Sequence, residues 1–262
     1  MPMVSLSDIR INARVDGPTD GPAVVFVHAL GTDLTIWDGV LSHLTGRYRT
    51  LVFDHRGHGG SDTPAPPYAM GTLVRDCERL MDHFGLKDAV VIGVSLGGLV
   101  AQGLAVKRLD QVRAVVLSNT AARIGTPQMW HDRIDEIRKF GLNTYAEGAM
   151  QRMLGADFRN NPALPYLRCL LTATDPDGWI GCAAAIAGTD FYTTTASLRL
   201  PALVIAGAND GTTPPDLVRE TADLIPGHQF ALMRGTGHLP MVEKPAEFAA
   251  LLKMFLHDIG HI

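Results

Sequence analysis

Cysteine is scarce in this chain: Cys77, Cys169 and Cys182 are the three present, far apart and with no C-x-x-C among them. That spacing supports neither a disulfide framework nor a thiolate metal site, and a reducing cytoplasm is the expected compartment. An excess of one charge is missing too. Lys plus Arg number 23 and Asp plus Glu 27, a net of −4 with no long run of either sign. The basic footprint of a nucleic-acid binder is therefore lacking, and no anionic membrane surface is expected as a partner. Long apolar runs are absent as well, since Ile180 to Gly188 reaches only about half of the roughly 20 residues that span a bilayer. Near the amino end, Ile9, Ile11, Ala13 and Val15 alternate with Arg10, Asn12 and Arg14, which is strand periodicity and not the unbroken apolar core of an export signal.

What is there is hydrophobic material, 46% of 262 residues, enough for a sizeable core in one α/β domain. Short β-branched runs recur at Val24 to Val27, Thr50 to Phe53, Val90 to Val94, Val112 to Leu117 and Leu203 to Ala206. Continuous apolar strands of this kind belong to a parallel sheet covered on both faces. Helical spacing between them, as in Leu73 to Phe84 and Leu99 to Leu109, supplies the crossovers. Ile9 to Val15 reads as part of an antiparallel edge hairpin, with Asp16-Gly17-Pro18 and Asp20-Gly21-Pro22 as its turn chemistry. From Thr120 to Ala196 the strand rhythm stops and helix-like text takes over. The expectation is an α/β core over 1–119 and 197–262, with a helical cap over 120–196 inserted after the sixth strand.

Gly93-Val94-Ser95-Leu96-Gly97 sits between an apolar strand and a helical pattern, the context a nucleophile elbow requires. The alternative is a glycine-rich turn in which Ser95 only caps the next helix. A serine hydroxyl is a weak nucleophile at neutral pH and needs a base, which in turn needs a group to fix its tautomer. Asp210 follows the Leu203 to Ala206 run, and His238, one of ten histidines, follows Phe230 to Met233. The order Ser95, Asp210, His238 is that of α/β-hydrolases, while the other acid position of such a sheet, after Val112 to Leu117, holds Ser118-Asn119. An oxyanion requires two N–H donors, for which the backbones of Leu96 and Leu30 are the candidates. The segment Asp54 to Ser61 has H-x-x-H spacing but no H-E-x-x-H, no further Cys or His ligands nearby and no Gly-Lys-Ser or Gly-Lys-Thr. It is read as a structural tight turn, not as a zinc or phosphate site.

Through D-x-R-G-H-G-x-S around Arg56, the G-x-S-x-G elbow and the late G-x-x-D and G-H elements, the chain resembles the α/β-hydrolase superfamily. More narrowly, Gly31 to Trp37 and Ser118 to Pro127 look like segments of 3-oxoadipate enol-lactonases, although His28-Ala29 stands where those often carry Asn-Ser. The resemblance implies hydrolysis of a small anionic enol-lactone by Ser95, His238 and Asp210, with no metal or organic cofactor. The substrate carboxylate then needs a cation. Trp130 and Arg133, at i and i+3, are the candidates, with Arg123 and Arg138 as rivals. The bland alternative packs Trp130 against Ile134 and Ile137 and pairs Arg133 with Glu136 or Asp132. Other functions compatible with the same residues are a general carboxylesterase, a cofactor-free perhydrolase of the bromoperoxidase kind, and a non-catalytic ligand receptor.

Overall fold

A computed structural model describes residues 3–44 and 46–262. Among them, β1 (Met3–Ser5), β2 (Arg10–Asp16), β3 (Ala23–Val27), β4 (Arg49–Phe53), β5 (Ala89–Val94), β6 (Val112–Ser118), β7 (Ala202–Gly207) and β8 (Gln229–Met233) form one sheet. The order across it is β1-β2-β4-β3-β5-β6-β7-β8. Pairings from β4 through β8 are parallel, and β2 runs antiparallel to both β1 and β4.

Every residue of β3, β5 and β7 is buried, so side chains pointing to both faces of the sheet need cover. That cover comes from α1 (Asp38–Leu41), α2 (Met70–His83) and α3 (Leu96–Lys107), and after β7 from α8 (Pro215–Asp223), α9 (Pro240–Glu243) and α10 (Pro245–Asp258). On α2 the buried residues Leu73, Val74, Cys77, Leu80 and Met81 recur at helical spacing and form one stripe. By contrast α3 is apolar around its circumference, as a helix wedged into the centre must be. It begins at Leu96, three residues before the apolar spacing shows it, because Gly97 and Gly98 carry no side chain to register in a hydrophobic pattern. It ends before Leu109, which is 77% exposed.

The edge hairpin pairs differently from the sequence expectation. β2 takes β1 as its hairpin partner, closed by the Leu6 N–H donating to the Ile9 carbonyl at 2.8 Å. The Asp16 to Pro22 turns do not join sheet neighbours. They carry the chain past β4 to β3, because the fully apolar β3 belongs in the doubly covered centre and the half-polar β2 at the edge.

Between β6 and β7 the chain is helical: α4 (Pro127–Leu154), α5 (Leu164–Ala173), α6 (Pro176–Ala187) and α7 (Tyr192–Ala196). Thr126 caps α4 by accepting the Met129 N–H, and Pro127 suits its first turn. Gly141 interrupts α4 with φ 76° and ψ 168°, a conformation that costs glycine little and an L side chain much. No helix among the described residues is long and apolar enough to cross a membrane.

Candidate active site

Ser95 stands where β5 turns into α3, with φ 56° and ψ −117°. A non-glycine residue in that region carries about 1–3 kcal/mol of strain, and the surroundings must hold it there. They do so through the Ser95 N–H to the Ser118 carbonyl (3.1 Å), and through the Ser95 carbonyl, which accepts from the Gly98 N–H (2.9 Å) and Thr120 Oγ1 (2.7 Å). Neither motif glycine has room for a side chain, Gly93 because of the turn itself and Gly97 because of the adjacent β3. A Cβ on Gly93 would lie 2.1 Å from the Gly97 oxygen, and one on Gly97 would lie 2.1 Å from the Val27 oxygen.

The loops after β7 and β8 bring Asp210 and His238 together, with His238 Nδ1 2.7 Å from Asp210 Oδ2. The carboxylate is saturated with donors. Oδ1 accepts the N–H groups of Thr212 (2.7 Å) and Thr213 (3.2 Å), and Oδ2 accepts Thr213 Oγ1 (2.7 Å) and Asn119 Nδ2 (2.9 Å). Burial alone would raise the Asp210 carboxyl. The adjacent His238 and the bonds from His238, Asn119 and Thr213 outweigh it, so its pKa lies below the ordinary carboxylate value. Asn119, at the acid position that carries no acid here, thus serves Asp210 as a donor. His238 is itself held by α4, its backbone N–H donating to the Met153 carbonyl at 2.6 Å, while Glu243 accepts the Gly237 N–H at 2.8 Å.

Ser95 and His238 line one cavity together with Leu30, Trp130, Arg133 and Arg152, and Tyr145 and Trp179 complete its aromatic wall. Leu96 heads α3, so its N–H belongs to the first turn, which a helix leaves without intrahelical acceptors. Leu30 lies between two anchored neighbours: the Ala29 carbonyl accepts from Thr32, and the Gly31 N–H donates to His58 Nε2 at 3.0 Å.

That last bond gives the Asp54 to Ser61 turn a role the sequence reading did not assign. His28, His55 and His58 form a buried cluster whose ring nitrogens bracket backbone groups of the Leu30 loop and of its own turn. His28 Nε2 accepts the His55 N–H (2.9 Å), and His55 Nε2 donates to the His28 carbonyl (3.1 Å). Arg56 anchors the turn from the other side through two bonds to the buried Asp76, at 2.7 and 2.8 Å.

Burial holds the three imidazoles neutral, lowering His58 to about 4, His55 to about 3 and His28 well below its ordinary value. Below pH 6.5 the unfolded chain therefore takes up protons that the folded chain refuses. Stability is complete above that pH and falls as pH decreases towards 4, by up to about 1.4 kcal/mol per pH unit for each histidine. Urea midpoints measured between pH 7.5 and 5 are expected to show this loss, and His58→Gln should reduce the slope by about one proton. A flat profile over that range would contradict the buried neutral cluster.

The two rival arginines point elsewhere. Arg123 lies 3.7 Å from Asp190 and Arg138 lies 3.4 Å from Asp135, and neither lines the cavity. Trp130 and Arg133 both do. Trp130 is fixed by its Nε1–H donating to the Ile124 carbonyl at 2.6 Å, and the Arg133 guanidinium lies 4.9 Å from the Trp130 ring centroid. Among the described residues no carboxylate lies within ion-pair distance of Arg133, so the expected alternative of pairing with Glu136 or Asp132 does not occur. The sequence reading passed over Arg152, Tyr145 and Trp179, which no local pattern ties to Ser95.

A family model described as the alpha/beta hydrolase fold matches residues 22–167, more than half of the chain. The protein belongs to the α/β-hydrolase family. It is 31% identical to 3-oxoadipate enol-lactonase 2 of Acinetobacter baylyi, over 96% of each chain. The crystal structure of an enol-lactonase from Burkholderia xenovorans LB400 superposes with a TM-score of 0.93 at 32% identity, covering 98% of this chain and 100% of the other. A thermophilic esterase from Thermogutta terrifontis follows with a TM-score of 0.91 at 27% identity, covering 99% of both chains.

Proposed function

We propose that this hydrolase opens a small lactone bearing a carboxylate, with 3-oxoadipate enol-lactone as the best-matched substrate. The observation that carries the reading is the cavity itself. Ser95 and His238, the latter bonded to Asp210, line it together with aromatic side chains and a guanidinium that has no carboxylate within ion-pair distance. The likeness to two enol-lactonases over almost the whole chain supports the same substrate class.

In this mechanism Ser95 Oγ attacks the ring carbonyl as His238 takes its proton. Asp210 orients the imidazole and stabilises the imidazolium. The N–H groups of Leu30 and Leu96 hold the oxyanion. The ring C–O bond breaks as the His238 imidazolium gives its proton to the departing enolate oxygen, a better leaving group than an alkoxide, and His238 returns to its neutral form. Water, deprotonated by His238, then cleaves the Ser95 ester, and the enol becomes a ketone without further help. No step calls for a metal or an organic cofactor. The site acts in a soluble phase on a small anion, and the cytoplasm is the proposed compartment.

The test compares kcat/KM for the enol-lactone with that for short neutral p-nitrophenyl esters. Arg133→Ala removes a charge-assisted hydrogen bond worth about 1.5–3 kcal/mol, so the preference for the lactone should drop roughly 10-fold to 150-fold. Parallel losses on both substrates would assign Arg133 to cap structure. Wild-type preference for the neutral esters would favour a general carboxylesterase, peroxide-dependent halogenation a perhydrolase, and binding without turnover a receptor.

A further inference from the structure

Arg152 lines the same cavity as Arg133, although 19 residues separate them. At a rise of about 1.5 Å per residue, an unbroken helix would hold their backbones about 28 Å apart. The positive-φ break at Gly141 kinks α4, and Arg133 and Arg152 line one small space. Each lies against a wall aromatic, Arg133 on Trp130 and Arg152 at 5.2 Å from the Tyr145 ring centroid. Trp179 links those two rings, 6.3 Å from Trp130 and 5.3 Å from Tyr145.

Among the described residues, neither arginine has a carboxylate within ion-pair distance, and Nη2 of Arg152 is buried without a hydrogen-bond partner. Burial disfavours the Arg133 cation and the charge of Arg152 adds to it, while Tyr145 and Glu136 act in the opposite sense. Two like charges held together over a reaction centre, one with an unused donor, are an arrangement that an anionic ligand relieves. Arg152 is also rigidly placed. Its carbonyl accepts the Gly211 N–H at 2.8 Å, and the next carbonyl, that of Met153, accepts the His238 N–H at 2.6 Å.

We propose that Arg152 and Arg133 form a two-armed clamp and that the cavity binds small dicarboxylates. The inference rests on reading the cavity as the hydrolytic site, and the chemistry of that site supplies the second anion. Opening a lactone that already bears one carboxylate, then hydrolysing the Ser95 ester, leaves a second carboxylate and releases one proton. Arg133 holds the carboxylate present throughout. Arg152, joined through the backbone to the loops of Asp210 and His238, receives the one that hydrolysis creates. The product dianion and its saturated analogues are then competitive inhibitors, and Arg152 is a specificity-determining residue.

The experiment measures Ki for adipate and for hexanoate, a dianion and a monoanion of equal chain length, against hydrolysis of p-nitrophenyl acetate. The wild type should bind adipate at least 10-fold more tightly. Arg152→Met should lose roughly 10-fold or more of that preference, and Arg152→Lys should keep part of it. Ki does not depend on the fraction of active enzyme, and the wild-type comparison needs no variant to fold. Equal Ki values for the two acids in the wild type, an unchanged ratio in Arg152→Met, or equal losses in the Met and Lys variants would each overturn the clamp. If adipate preference holds while the enol-lactone is not turned over, the lactone assignment fails and the clamp stands. Turnover of the lactone without adipate preference gives the reverse.

Discussion

Ser95→Ala is expected to abolish nearly all hydrolysis, on the order of 10⁶ in kcat, with the fold retained. The substitution removes a single oxygen. The bonds that hold the elbow in its strained conformation run through the Ser95 backbone, to Ser118, Gly98 and Thr120, and alanine keeps all of them. The methyl group that remains is no larger than the hydroxymethyl it replaces, so the 6% exposed position accepts it without overpacking. Loss of rate then reports loss of the nucleophile and nothing else. Circular dichroism and thermal midpoint should match the wild type while ester turnover disappears. Near-normal activity in a correctly folded variant would sink the whole mechanism.

Asp210→Asn should lower kcat by about 10³ to 10⁴. The native carboxylate is purely an acceptor, and its two oxygens receive Thr212, Thr213, Asn119 and His238. An amide in its place offers only one acceptor oxygen and two N–H donors to a set of groups that themselves donate. If the oxygen keeps Thr212 and Thr213, the amide nitrogen faces His238 Nδ1 and favours the tautomer that carries its proton on Nε2, which cannot accept the Ser95 proton. Asp216, the nearby carboxylate in the first turn of α8, is exposed and provides the control. If Asp216→Asn proved far more damaging than Asp210→Asn, the acid would have been misplaced. The comparison is made by steady-state kinetics on a neutral ester, so that substrate charge does not enter.

What could be read directly from the chain is what short-range physics specifies. β-branched runs marked the central strands because side-chain alternation and two-sided burial act within five or six residues. The elbow was legible because Ser95 lies between glycines at a strand-to-helix turn, where a Cβ on Gly93 would meet the Gly97 backbone; the contact that excludes one on Gly97 comes from Val27 on the neighbouring β3. Asp210 and His238 could be placed because each follows a strand whose carboxyl end opens on the same edge of a parallel sheet.

The tertiary structure alone decided the partner of β2, the donors around Asp210 and the roles of the three histidines. It also decided which arginines enter the cavity. The sequence named Arg133 with Arg123 and Arg138 as rivals; Arg133 lines the cavity, while Arg123 and Arg138 lie outside it near Asp190 and Asp135. Arg152 showed no signal, since its distance from Ser95 is set by a single glycine bend and by the packing of α4 against the loops of Asp210 and His238. Periodicity records which face of an element is apolar, a local property of successive side chains. Which elements meet, and which cation then stands over which serine, depends on contacts between segments tens of residues apart, and those exist only once the core has packed.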